Sequence, residues 1–233
     1  MPSPDPSKAN RLLASMPRKD RERMVDGCTR VDLAFEQILA EAGEPLGHVH
    51  FPTTSFISLL TPMGASCIEV ALVGDEGMFG LPVAFGVGIS EFRALVQGEG
   101  AALRMTATRF KSELRRSVPL QRAVGRYSYV RMAQLGQTAG CNRFHLVEAR
   151  LARWLLMTGD RAHSATFYIT HEFLAFMLGV RRVGITKAAS ALQAAKLIRY
   201  SRGHLTVLDR PGLEKASCAC YRADLDIYDK MFG

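Results

Sequence analysis

Long apolar runs are missing from this chain of 233 residues. The longest, Met78 to Ile89, is short and is broken by Gly80, Pro82, Gly86 and Gly88, so nothing reads as a membrane span. The first ten residues are rich in Pro, Ser and polar groups and lack the apolar core of a signal peptide, which predicts a cytoplasmic protein with no membrane partner. Cysteine is scarce. Five residues, an odd number without regular spacing, argue for reduced thiols and against disulfides in a chain with no export signal. No HExxH and no paired CxxC occurs, so the spacing offers no metal site. Catalytic patterns are incomplete as well. Gly86-Val87-Gly88 and Gly98-Glu99-Gly100 each begin a dinucleotide-binding pattern, but both lack the third glycine and the strand-then-helix context, and both read as turns. Gly64-Ala65-Ser66 lacks the closing glycine of a nucleophile elbow. The expectation is a protein that is not an enzyme and carries no cofactor.

What the chain does have is enough apolar content, 48%, to fill two cores, together with an excess of positive charge, 30 basic against 22 acidic residues. No internal repeat is visible. Residues Asn10 to Val25 show helical apolar spacing at Leu12, Leu13, Met16 and Met24, with Pro17 dividing one short helix from the next. From about Thr29 to Met105, short runs rich in Val, Ile, Leu and Phe alternate with glycine turns. Strands are predicted at His48 to Phe51, Phe56 to Leu60, Cys67 to Leu72, Arg93 to Gln97 and Ala101 to Arg104, the texture of a small β-roll or jelly roll.

A helix from Pro119 to Ala139, about 30 Å long at the usual rise, places Leu120, Val124, Tyr127, Leu135 and Thr138 on one face, interrupted by Arg131. That face suits packing against a second copy or against the chain's own roll. A further helix, Arg143 to Met157, puts Val147, Leu151, Trp154 and Leu155 on one side, and the single tryptophan reads as a core residue.

The most informative stretch is Ile169 to Asp209, ITHEFLAFMLGVRRVGITKAASALQAAKLIRYSRGHLTVLD. Ala175, Gly179 and Ile185 supply a small residue where two helices cross, a glycine for a turn with positive φ, and a branched apolar residue inside the second helix. Leu174, Leu178, Val180 and Ala188 give the motif its own core, and strand, Gly-containing turn and strand follow from Ile198 to Leu208 as a β-hairpin wing. The same spacing also suits an ordinary pair of core helices. Charge favours DNA: Cys141 to Arg210 holds eleven basic and four acidic residues, a net +7 of the whole chain's +8.

In this order of parts, and in the segments VEARLARWLL, VHFPTTSFISLL and VALVGDEGMFG, the chain resembles the Crp/Fnr family of bacterial transcription regulators from about Asn10 to Asp209. The resemblance implies an α+β fold: an N-terminal β-roll (jelly-roll-like) sensor domain resembling a cyclic-nucleotide-binding domain in residues 1–107, a long dimerisation helix in 108–140, and a C-terminal winged helix-turn-helix in 141–233. It also implies a homodimer whose recognition helices enter successive major grooves of a pseudo-palindromic double-stranded site, with RNA polymerase as a further partner. Within the motif, Arg182 matches the arginine that reads guanine through O6 and N7. Val183 falls where many members carry a cytosine-reading glutamate, and a valine suits a thymine methyl instead. Lys187 matches another DNA-facing basic position, Thr170 opens the motif, and Arg181 and the wing residue Arg202 suit phosphate contacts or a solvated surface equally.

Aligned with the family's cyclic-nucleotide pocket, Gly77, Met78, Phe79, Gly80 and Arg93 are the effector-pocket candidates. Met78 stands where the ribose-binding acid belongs and Phe92 where the phosphate-binding arginine belongs, with Arg93 one position away, so cyclic AMP binding is not expected. An unknown small-molecule effector stays open. Only Cys28 lies in the region where iron-sulfur members gather cysteines, which excludes a cluster there. His48, His50 and Cys67 are the conceivable haem ligands, and Cys218-Ala219-Cys220 is a conceivable oxidation-sensitive thiol pair. The competing function is a small-molecule-sensing β-roll that acts through a protein partner, against which stands the basic, not neutral, character of Arg181 to Lys187.

Overall fold

The computed structural model describes residues 9–64 and 66–233. The first eight residues and Ala65 of the Gly64-Ala65-Ser66 triplet lie outside the described residues. The chain clusters into two units: one holds residues up to Thr61, Leu72–Met132 and Phe232, the other Pro62–Ala71, Ala133–Met231 and Gly233.

In the first unit, α1 (Arg11–Ala14) is capped by Asn10, whose side chain accepts from Leu13 N while its amide donates to the carbonyls of Pro52 and Gly77 at 2.9 and 2.8 Å. Pro17, with no N–H to contribute, stands at the N-cap of α2 (Arg18–Asp26), so the break expected at that proline is present. Strands β1 (Thr29–Leu33), β2 (Ile38–Ala40), β3 (His48–Pro52), β4 (Phe56–Met63), β5 (Ser66–Val73), β6 (Arg93–Gly98) and β7 (Gly100–Thr106) follow, with a 3-10 turn at Leu81–Phe85. They form two antiparallel sheets, ordered β1-β7-β3 and β2-β6-β4-β5. All five expected strands are present with ends extended by a few residues; β1 and β2 are short and carry little apolar alternation, so the sequence does not announce them.

Val49, Phe51, Ile57, Val96, Leu103 and Met105 fill the space between the sheets, and α3 (Ala107–Arg116) and α4 (Val118–Phe144) close it with Phe110, Leu120, Val124 and Tyr127. The helix expected from Pro119 to Ala139 is present within α4, whereas residues 108–140, expected as one dimerisation helix, hold two. Ser117 separates them, its hydroxyl accepting from Leu120 N to cap α4, and Pro119 sits in the first turn where its missing N–H costs nothing. The stripe of Leu120, Val124 and Tyr127 therefore serves the roll's own core. What α4 leaves exposed is a different face, with Gly125, Tyr129 (53% accessible), Met132 (66%) and Gly136 at intervals of three and four.

The second unit contains α5 (Val147–Ala162), β8 (Thr166–Tyr168), α6 (His171–Leu178), α7 (Arg182–Ala194), β9 (Ile198–Ser201), β10 (His204–Val207), α8 (Arg210–Ala216) and α9 (Cys220–Phe232), with a three-stranded sheet ordered β8-β10-β9. The helix expected from Arg143 begins later, since the chain bends at His145 and Leu146 and leaves Arg143 and Phe144 on α4. Trp154 is buried, and its indole N–H donates to Glu69 at 2.8 Å. No described helix is long and apolar enough to cross a membrane.

Candidate nucleic-acid interface

Thr170 caps α6 by accepting from Phe173 N, which leaves its exposed hydroxyl proton free to donate outward. Gly179 ends α6 in the left-handed region at φ 61°, and a Cβ there would stand 2.8 Å from Ile68. The turn thus needs glycine for both its backbone and its clearance. Leu174, Ala175, Met177 and Leu178 on α6 bury against Ile185, Ala188, Ala189 and Leu192 on α7, and the crossing fixes the direction of the second helix.

Opposite that buried side, α7 presents Arg182, Val183, Thr186, Lys187 and Ser190, all exposed, with Val183 58% accessible. Arg181 occupies the N-cap with no side-chain cap bond, and its side chain is exposed. A free helix face opening on two arginines and closed behind by its own core has the form of a major-groove reader. Beside it the wing turns at Arg202 and Gly203, at φ 51° and 84°; two consecutive positive φ values are those of a tight hairpin turn whose twist matches its strands. Arg199 and Arg202 are exposed on this hairpin.

A polar contact that sequence reading missed braces the two parts. His171, first residue of α6, stacks on Tyr200 of β9 with ring centroids 4.5 Å apart and planes within 10°. Its Nδ1 lies 3.1 Å from the Thr186 hydroxyl, which itself donates to the Arg182 carbonyl, so the ring supports the first turn of α7 from behind. The Tyr200 hydroxyl donates to the Ile169 carbonyl, and its backbone N–H donates to Gln193. Burial, and then the positive charge of Arg182, hold the His171 pKa below the ordinary imidazole value. The available signal was the i, i+4 spacing of Arg182 and Thr186; the histidine partner is fifteen residues from Thr186 in sequence and could not be read.

The charge count needs correction. Of the eleven basic residues from Cys141 to Arg210, Arg150 and Arg153 are buried and Arg210 is held by Asp160 at 2.6 Å and Glu214 at 3.1 Å. Arg150 and Arg153 are therefore internal structure, and Arg210, though exposed, is neutralised by acidic neighbours. Arg143, Arg181, Arg182, Lys187, Lys196, Arg199 and Arg202 are exposed, and Arg181, Arg182, Lys187, Arg199 and Arg202 lie on or beside α7 and the wing.

The effector candidates fall in the roll's packing. Met78 and Phe79 are buried, a Cβ at Gly77 would overlap the Tyr127 ring, and the Tyr127 hydroxyl donates to the Met78 carbonyl. Gly80 has φ 94° with Val49 against it, while Arg93 pairs with Glu41 at 2.8 Å. His50 is buried against Phe79, and burial lowers its pKa to about 4.

Sequence spacing offers no metal site, yet the fold gathers Cys141, His145, Cys218 and Cys220, whose ligand atoms all lie within 4.8 Å of one another. The Cys141 and Cys218 sulfurs lie 3.5 Å apart; that contact, then His145 and Arg153, hold Cys141 below the ordinary thiol range, while the same contact and burial raise Cys218 above it.

Comparison with known proteins agrees with the geometry. Residues 149–216 match the family model of the Crp-like helix-turn-helix domain. No curated protein sequence matches the chain. Among solved structures, a protein of Eubacterium rectale ATCC 33656 described as a transcriptional regulator of the Crp/Fnr family aligns with TM-score 0.69 at 18% identity, over 88% of this chain and 96% of that one. The c-di-GMP responsive global regulator CLP of Xanthomonas campestris aligns with TM-score 0.67 at 16% identity, over 82% and 99%. A CRP-family transcriptional regulator of Thermus thermophilus aligns with TM-score 0.67 at 18% identity, over 81% and 96%. Residues 149–216 thus match a Crp-like helix-turn-helix domain, and the chain has the fold of the Crp/Fnr family.

Proposed function

We propose that the protein regulates transcription as a homodimer that reads a pseudo-palindromic DNA site through α7. The observation that carries this reading is the exposed face of Arg182, Val183, Thr186 and Lys187, with the basic wing beside it and a buried core behind it. Arg182 stands at the first turn, where a planar guanidinium can donate to both acceptors of one guanine; Val183 offers a methyl-sized apolar contact to thymine; Arg181, Arg202 and the Thr170 hydroxyl serve phosphate. The exposed stripe of Gly125, Tyr129, Met132 and Gly136 supplies the surface for a second copy, since glycine on one helix lets the backbone of its twin approach. Acting on transcription, such a dimer has RNA polymerase as its next partner.

The Gly77 to Gly80 segment packs the roll, and Arg93 is engaged by Glu41, so the reading includes no cyclic AMP site. Any effector is of another chemistry.

Selection from a random duplex pool by the purified protein tests the proposal. A two-fold symmetric site with half-sites about one helical turn apart is expected, and Arg182→Ala loses roughly 1–3 kcal/mol of affinity for it with relaxed preference at one guanine. Salt-sensitive binding with no selected sequence, indifferent to Arg182, would instead favour a protein partner for this face.

A further inference from the structure

Three of the five cysteines, Cys141, Cys218 and Cys220, converge with a histidine on one point of the second unit. Cys141 lies in the last turn of α4, and His145 follows it by four residues on the same side, its N–H still bonded to the Cys141 carbonyl at 3.1 Å. Cys218 and Cys220 stand at the start of α9. The Cys141 and Cys218 sulfurs are 3.5 Å apart, as are Cys220 Sγ and His145 Nδ1. A tetrahedral ion with metal–sulfur bonds near 2.3 Å and a metal–nitrogen bond near 2.0 Å separates its ligand atoms by about 3.5–3.8 Å. The two 3.5 Å separations match such an ion, and all four ligand atoms lie within 4.8 Å of one another, near enough to close around one centre. All three thiols are buried, with the imidazole at the rim.

The surroundings are prepared for negative sulfur. Arg153, buried and paired with Asp224 at 2.5 Å, also lies in the field of Cys141. Arg150 is buried too and donates to the Leu178 carbonyl, and it forms no ion pair with a carboxylate among the described residues. A buried guanidinium with no anion is costly, and thiolates around a divalent ion remove that cost. Gln137 Nε2 donates to the Cys220 sulfur at 3.0 Å, the kind of outer contact that orients a ligating thiolate.

We propose that Cys141, His145, Cys218 and Cys220 form a closed four-ligand site for a zinc ion, which fastens the end of α4 to the C-terminal helices of the DNA-binding unit. Three thiolates and one imidazole are the donor set of structural zinc, and with four protein ligands no position is left for water or substrate. Binding releases each remaining thiol proton to solvent, and no electron is transferred. An iron-sulfur cluster fits less well, because several irons and sulfides would hold the thiolates farther apart than 3.5 Å. A Cys141–Cys218 disulfide would need an oxidant and would leave His145 and Cys220 without a role.

The full-length protein, purified without chelator or histidine tag, should hold about one zinc per chain by mass spectrometry. Cobalt(II) exchanged into it under reducing conditions should give thiolate-to-metal charge transfer and the strong visible bands of tetrahedral coordination. Cys218→Ser and His145→Ala should lose the metal or its tetrahedral spectrum, while Cys67→Ser should keep both. Because a ligand variant can fail to fold, the wild-type cobalt spectrum decides alone. Absence of zinc from protein made in zinc-supplemented medium, an octahedral cobalt spectrum, or a Cys141–Cys218 disulfide found after anaerobic thiol trapping would each overturn the proposal.

Discussion

Two kinds of buried ionisable side chain shape this protein at the scale of single residues. The interior arginines, Arg150 and Arg153, look in the sequence like any other positive charge near a DNA-binding motif. Helical periodicity places both on α5 among Leu151, Trp154 and Leu155, but a guanidinium on such a face reads as solvated until its partners are known. His50 is the second kind. Its neutral ring is enclosed in the roll, and burial lowers its pKa from 6.5 to about 4. A histidine whose folded pKa is depressed contributes stability that is fully present above pH 6.5 and is lost as pH falls toward 4, because the unfolded chain takes up the proton first. The expected loss in the first unit is about 3 kcal/mol across that window. Calorimetry from pH 7 to pH 4 checks it: the transition of the first unit should fall steeply in wild type and less in His50→Gln, and equal pH slopes would assign the acid sensitivity elsewhere.

At the scale of elements, the α6, Gly179 and α7 arrangement was legible because each constraint is local. The turn needs positive φ, the crossing needs a small residue, and the second helix needs an apolar residue near its start; all three lie within eleven residues. The same locality makes a substitution predictable. Gly179→Ala forces a side chain into φ 61° and into Ile68, so it should destabilise the second unit by about 1 kcal/mol or more, read as a lower midpoint in urea with an unchanged slope. DNA affinity should fall with it, since the turn sets the direction of α7. Boundaries were less legible than elements. The break at Ser117 depends on a hydroxyl capping its own helix, the bend at His145 on contacts made far along the chain, and α8 and α9 on packing that the short segments after the wing do not advertise.

For the whole molecule, the proposed homodimer turns on which face of α4 is free to meet a second copy. Sequence periodicity offered Leu120, Val124 and Tyr127, and the fold uses them in the roll; Tyr129 and Met132 are apolar residues left outside. Introducing charge with Tyr129→Glu and Met132→Lys should shift the protein from dimer to monomer in sedimentation equilibrium, and each change should weaken binding to the symmetric DNA site at least tenfold. A double variant still dimeric at micromolar concentration would place the interface on another face. The sequence by itself determined the strand-rich first part, the long helix and the winged helix-turn-helix, because these follow from turn chemistry and from periodicities of two and 3.6 residues. Only the tertiary structure decided which arginines are interior, which side of α4 is free, how His171 and Tyr200 brace the reading helix, and that cysteines 77 residues apart in sequence touch. Each of those facts depends on approach between distant segments, and a pattern of neighbours along a chain does not encode distance across it.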